Sequence, residues 1–213
     1  MQKRFETALG PCEVQRLLGK GKSGYSYLAE LNGRDVVLKR MHDEPCPYYD
    51  FGENNKVMLE VGAYHRLKAC GIRLPDLLGY DEGGNYLVKA FIDGEVASAV
   101  IAAGRMNDEI VEQLFDMYHQ VRKAGLNIDY FPANFVVREG RLTYIDYECN
   151  PFMAEWDLLN WGIYYWANSE GFREYLSGGD ITTINQSPES GLPLKAPFAE
   201  IVAGWVAKFG RDG

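Results

Sequence analysis

Residues 25–31 alternate instead of repeating at helical spacing. Tyr25-Ser26-Tyr27-Leu28-Ala29-Glu30-Leu31 is aromatic-rich, and Val36-Val37-Leu38-Lys39 is a second β run. Asn32-Gly33 between them is a preferred pair for a two-residue hairpin turn. The period then changes. Across residues 52–69, Val57, Leu59, Val61, Tyr64 and Leu67 recur at mixed three- and four-residue spacing, which predicts a helix. Residues 77–92 return to a strand pattern on either side of Glu82-Gly83-Gly84-Asn85. With the strand before the glycines at 19–24, this makes a five-stranded antiparallel sheet carrying one helix.

Helical spacing is expected from 95 to 125, in two segments. EVASAVIAAGR is the first. The second, NDEIVEQLFDMYHQVRKAG, places Ile110, Leu114, Met117 and Val121 on one face and has Gly125 as its stop. Two short β runs follow, Phe135-Val136-Val137 and Leu142-Thr143-Tyr144-Ile145, joined at Arg138-Glu139-Gly140-Arg141. Another helix is expected from about Trp156 (EWDLLNWGIYYWA). Residues 177–197, rich in Gly, Ser and Pro, suggest a mobile loop, and 198–209 a closing helix. The class is α+β, with an N-terminal lobe over 1–92 and a small, mainly helical lobe over 93–213, together one domain.

Composition narrows the function. With 213 residues, 46% of them hydrophobic, the chain can bury a core. A net charge of −8 disfavours sequence-independent nucleic-acid binding, which needs a basic face. Cys12, Cys46, Cys70 and Cys149 form no C-x-x-C pair, so reduced thiols in a cytoplasmic protein are expected. MQKRFETALG lacks the apolar region of a signal peptide, and no apolar run is long enough for a membrane span. His42, His65 and His119 show no metal-ligand spacing and read as surface or packing residues.

Chemistry enters at Gly19, Gly21 and Gly24, spaced G-x-G-x-x-G. A dinucleotide site needs that spacing between a strand and a helix start. Here a strand follows, so a hairpin flap over a polyphosphate fits better, with backbone amides donating to phosphate oxygens. The plain alternative is a flexible hairpin. Glu60 falls within the apolar pattern of its helix and should face inward, where a carboxylate needs a cation. Lys39 is the natural partner, Arg66 the alternative, and Glu53 a competing carboxylate. Asp129 and Asn134 are five apart in NIDYFPAN, and the following hairpin returns Asp146 beside them. Asn134 and Asp146 offer two oxygen ligands that suit Mg²⁺. Asp129 is left to orient an acceptor hydroxyl and take its proton. Separately, the three acids and amides also read as turn and strand-end residues.

Taken in order, GKGKSG (19–24), VVLK (36–39), the helix with Glu60, NIDYFPAN (127–134) and IDYE (145–148) resemble the protein-kinase-like superfamily over nearly the whole chain. The resemblance implies a bilobal protein-kinase-like fold and ATP with Mg²⁺ as cofactors. It implies that Lys39 holds the α/β-phosphates and pairs with Glu60, that Asp129 is the catalytic carboxylate, and that Asn134 and Asp146 bind the metal. The backbone from Ala90 to Ile92 is the expected adenine edge. The partner is a hydroxyl-bearing acceptor, first of all Ser or Thr of a protein. A small-molecule kinase and a nucleotide-binding pseudokinase are the alternatives.

Departures from the pattern point to a compact, atypical branch, similar to RIO-type, lipopolysaccharide-core sugar and aminoglycoside kinases. N-I-D stands for H-R-D, with Asn127 in the His place, and D-Y-E stands for D-F-G. Ser26 occupies the usual adenine-covering valine position. Nine residues separate Asp146 from Trp156, and the A-P-E that closes a longer loop in ordinary protein kinases is missing. Asp157 is either an anchor for the catalytic loop or a helix N-terminal acid. On this reading Lys39→Ala should weaken turnover without unfolding the protein.

Overall fold

The computed structural model describes residues 3–46, 51–52 and 54–210. Glu53 and residues 47–50 of the Pro45–Phe51 loop lie outside the described residues. The chain is mixed α+β and divides into two compact units. The first is Met1–Arg66 with Pro75–Ile92, the second Leu67–Leu74 with Asp93–Gly213.

The first unit is built on an antiparallel sheet of six strands, one more than expected. In chain order these are β1 (Lys3–Thr7), β2 (Gly10–Lys20), β3 (Gly24–Leu31), β4 (Arg34–Met41), β5 (Leu77–Asp81) and β6 (Tyr86–Ala90), with α1 (Lys56–Ala69) between β4 and β5. Their spatial order is β1-β2-β3-β4-β6-β5. The unforeseen strand, β1, is rich in charge, KRFET, because it lies at the sheet edge with little to bury. Its Phe5 packs against the core of Cys12, Ala29, Leu31, Val36, Leu38, Tyr86 and Val88. The Asn32-Gly33 turn forms as expected, both residues having positive φ (53° and 75°).

Helix α1 buries Val57, Glu60, Val61, Ala63 and Leu67, while Met58 and Leu59 are exposed. The buried stripe therefore runs at i, i+3, i+4 from Val57, and Leu59 is not part of it. Glu60 lies on the stripe.

In the second unit the expected helix from 95 opens instead as a short strand. Here β7 (Glu95–Val96) pairs with β9 (Phe135–Arg138), and α2 (Ala97–Ala102) starts only afterwards. Gly94 allows this approach, since a Cβ there would sit 2.7 Å from Val137 O. Helix α3 (Asp108–Lys123) is capped by Asn107, whose side chain accepts from Ile110 N at 3.0 Å. It buries Ile110, Leu114, Met117 and Val121, as the spacing required. Gly125, at φ 69°, follows its end. Strand β8 (Leu126–Asn127) pairs with β11 (Asn150–Pro151), and β9 with β10 (Arg141–Tyr144).

Beyond β11 the expected single helix is three pieces. These are a 3₁₀ turn at Ala154–Trp156, a π turn at Leu158–Gly162, and α4 (Ile163–Ala167). Helices α5 (Ser169–Gly178) and α6 (Ala199–Phe209) complete the unit. The segment between them is packed rather than loose. Ile184 is fully buried, Asn185 bridges to Pro193, and Gly191 O accepts from Trp161 Nε1 at 2.8 Å. None of the four cysteines forms a disulfide. Among the described residues no helix is long and apolar enough to cross a membrane.

Candidate active site

Two candidate clusters are present, each built within its own unit. In the first unit Lys39 Nζ meets Glu60 Oε1 at 2.5 Å, both side chains being less than 10% exposed. Both faces of β4 are covered from Val36 to Lys39, which leaves Lys39 buried, and the stripe of α1 turns Glu60 inward. The partner left open in the sequence is thus Lys39 and not Arg66. Removing one member of such a pair strands the other charge in a dry place. Lys39→Ala should therefore cost stability, in addition to the weakened turnover expected from the sequence.

The turn between β2 and β3 closes with Gly21 N donating to Gly24 O at 2.9 Å. The three glycines differ in what requires them. A Cβ at Gly24 would fall 2.5 Å from Arg40 O, so the close approach of β3 to β4 excludes any larger residue. Around Gly19 there is open space, and Gly21 has only Gly24 O at ordinary contact distance. Neither has positive φ. Packing does not demand glycine at 19 or 21, and the bare backbone there suits the close approach of a phosphate. Ser23, in the same turn, went unnoticed in the sequence. It is buried, and its Oγ donates to Glu60 Oε1 at 2.7 Å. Ser26 stands opposite Lys39 across β3 and β4. Ala90 closes β6, where its N–H donates to Asp76 O at 2.9 Å. That amide is engaged with the residue just before β5, and Ile92 is the last residue of the first unit.

The cluster in the second unit gathers Asp129, Asn134 and Asp146, all partly buried. Asp129 Oδ1 accepts from Phe131 N at 2.9 Å, which fixes the carboxylate over its own loop. A 3₁₀ turn, Pro132–Asn134, follows, and Asn134 N donates to Phe131 O at 2.9 Å. The tie to the third residue is through the backbone. Ile145 N donates to Asn134 O at 2.8 Å, setting Asp146 beside Asn134. Asp146 Oδ1 in turn accepts from Tyr147 N at 2.9 Å.

Tyr144 clasps these pieces. It is fully buried, its hydroxyl donates to Glu148 O at 3.1 Å, and it takes a backbone hydrogen bond from Asp129. Burial pushes its phenol well above the usual range, and the charges of Asp146, Asp129 and Glu148 add to this. Tyr165, also buried, is raised by burial and then by Asp129; its hydroxyl lies 2.8 Å from Asn185 Oδ1 and 3.0 Å from Gly191 O. The only sequence signal for Tyr144 was its place two residues before Asp146 in LTYID.

The loop backbone has a further anchor in Trp166, whose Nε1 donates to Tyr130 O at 2.8 Å. Asn127 donates from Nδ2 to Trp156 O at 2.8 Å, joining the loop to the turn after Asp146. Asp157 caps the π turn, accepting from Asn160 N at 2.7 Å, and it also accepts from the Tyr118 hydroxyl at 3.2 Å. Of its two readings, the structure gives the helix-terminus role. His42 Nε2 lies 3.1 Å from Gly21 O and His119 Nε2 3.2 Å from Phe209 O, both packing roles. Among the described residues no group of three or more His, Cys, Asp or Glu gathers as a metal site. The smaller set of one carboxylate and one amide, Asp146 and Asn134, could hold an ion that keeps waters and takes phosphate oxygens.

One curated relative is "Putative serine/threonine-protein kinase YrzF" of Bacillus subtilis (strain 168). It is 26% identical over 162 residues, covering 73% of this chain and 70% of that protein. No protein-family profile matches the chain. The likeness is to a kinase-like protein, and at this identity it does not define an acceptor.

Proposed function

We propose that the chain is a Mg·ATP-dependent phosphotransferase that moves the γ-phosphate to a hydroxyl, first of all that of Ser or Thr in a protein. The observation that carries this reading is the backbone bond from Ile145 to Asn134, which sets Asp146 beside the loop holding Asp129. Asp129 and Asn134 on one loop and Asp146 just past the returning hairpin would then make one oxygen-rich corner. Asn134 and Asp146 would hold Mg²⁺, which supplies positive charge against the polyphosphate oxygens. Lys39, oriented by Glu60, supplies a second positive charge, and the amides beside Gly19 and Gly21 supply donors. Asp129 orients the acceptor hydroxyl and takes its proton. The two carboxylate environments support separate roles, because Asp146 is tied to the hairpin and Asp129 to its own loop. The similarity to a kinase supports ATP as the donor.

A small-molecule alcohol is the second acceptor class. It is favoured by the short path from Asp146 to the 3₁₀ turn at Ala154–Trp156, which leaves little chain to grip a peptide. The test is ATP consumption by wild type and by Asp129→Ala, first with generic Ser/Thr peptides and then with a panel of sugars and aminoglycosides. Peptide phosphorylation lost in Asp129→Ala supports the leading reading. Turnover only with small alcohols selects the second. Binding of nucleotide with equal background rates in both proteins leaves the pseudokinase.

A further inference from the structure

A turn of sequence GKGKS should be loose, because glycine leaves the backbone its widest freedom. This one is tied from two directions, both within the first unit. Along the backbone, His42 N donates to Ser23 O at 3.1 Å, and His42 Nε2 lies 3.1 Å from Gly21 O. Glu44 N donates to His42 Nδ1 at 3.2 Å, so the neutral ring carries its proton on Nε2 and donates it to Gly21 O. From the side chain, the Ser23 hydroxyl reaches Glu60 Oε1, the oxygen that also receives Lys39. The other oxygen, Glu60 Oε2, is buried with no hydrogen-bond partner among the described residues. The carboxylate that orients Lys39 thus has Ser23 as a second donor, on an oxygen shared with the lysine.

We propose that Ser23 is a positioning residue that pins the glycine turn onto the Lys39–Glu60 pair, holding the turn in one arrangement before nucleotide arrives. Serine suits the position because its hydroxyl is a small neutral donor. Alanine at 23 removes both the tether and a donor to a buried carboxylate, while threonine keeps the hydroxyl. Pre-ordering lowers the entropy lost when a ligand settles under the turn, so its loss weakens binding rather than chemistry. The pinning stands on the geometry alone; its effect on turnover rests on the phosphotransfer reading.

Two measurements separate them. In nucleotide-free protein, Ser23→Ala should raise amide hydrogen exchange at residues 21–24 by roughly ten-fold, with the core strands unchanged and Ser23→Thr close to wild type. Unchanged exchange in Ser23→Ala overturns the pin, whatever the enzyme does. In turnover assays, Ser23→Ala should raise KM for Mg·ATP by roughly ten-fold and change kcat by less than about two-fold, with rescue by threonine. A fall in kcat at constant KM overturns the positioning role. If wild type neither binds nor consumes ATP, the phosphotransfer reading fails and the exchange result still decides the pin. Should Ser23→Ala not fold, Ser23→Cys, similar in size and a weak donor, is read by the same two outcomes.

Discussion

The two clusters handle charge in opposite ways. In the first unit a lysine and a glutamate neutralise one another in a dry setting, with a serine hydroxyl completing the set. In the second, Asp129, Asp146 and Glu148 all act on one buried phenol, and backbone amides and ring hydroxyls supply the order. The first is organised by its own ion pair. The second concentrates negative charge around a carboxylate and an amide, a setting that favours a cation.

The contrast can be broken most sharply at Asp129. Asp129→Asn should lower turnover by roughly 10²–10⁴-fold, the range for a general base, while the melting temperature stays near wild type. A comparable loss of stability would recast Asp129 as a structural turn residue. Next comes Lys39→Met, which leaves Glu60 buried and unpaired and should cost about 3–5 kcal/mol in denaturant unfolding. The double change Lys39→Met/Glu60→Leu should recover most of that stability and none of the turnover. If the single change costs nothing, the pair is not dry.

Tyr144→Phe is the milder probe of the second cluster. Losing its hydroxyl should cost about 1 kcal/mol and raise the Mg²⁺ concentration for half-maximal turnover, leaving KM for ATP nearly unchanged. The smallest effect is in alkaline solution. Tyr130, Tyr144 and Tyr165 have phenols raised above the ordinary value of 10.0 by burial. For each, the unfolded chain ionises first as pH rises. Their contribution is therefore whole below pH 10 and declines as pH climbs from there toward the folded value. Spectrophotometric titration should show these three ionising only with unfolding.

Periodicity and order made much of this site legible. The inward phase of Glu60 followed from the helix pattern, although Leu59, counted as apolar, faces out. The corner of Asp129, Asn134 and Asp146 followed from a loop and a returning hairpin. Residues whose role is set by distant geometry stayed hidden. Ser23 is one of several small polar residues in a turn, and only the placement of α1 brings Glu60 to it. Tyr144 reads as an ordinary strand aromatic, because nothing local reveals where its hydroxyl ends. The charged edge strand β1 escaped because period-two alternation is a signal of burial, and an edge needs little of it. Glu95–Val96 joined a helical pattern in sequence, yet Gly94 lets that backbone pair with β9 instead.

The most direct test of the central claim is thermal unfolding with ATP and Mg²⁺ together, each alone, and neither. A ligand held only by the folded chain stabilises it by about 2.7 kcal/mol at a hundred-fold excess over Kd, roughly 5–10 °C in Tm for a chain of this size. Mg·ATP should produce that rise, and a clearly smaller one in Asp146→Asn, which lacks the proposed metal carboxylate. No shift at millimolar Mg·ATP would contradict it.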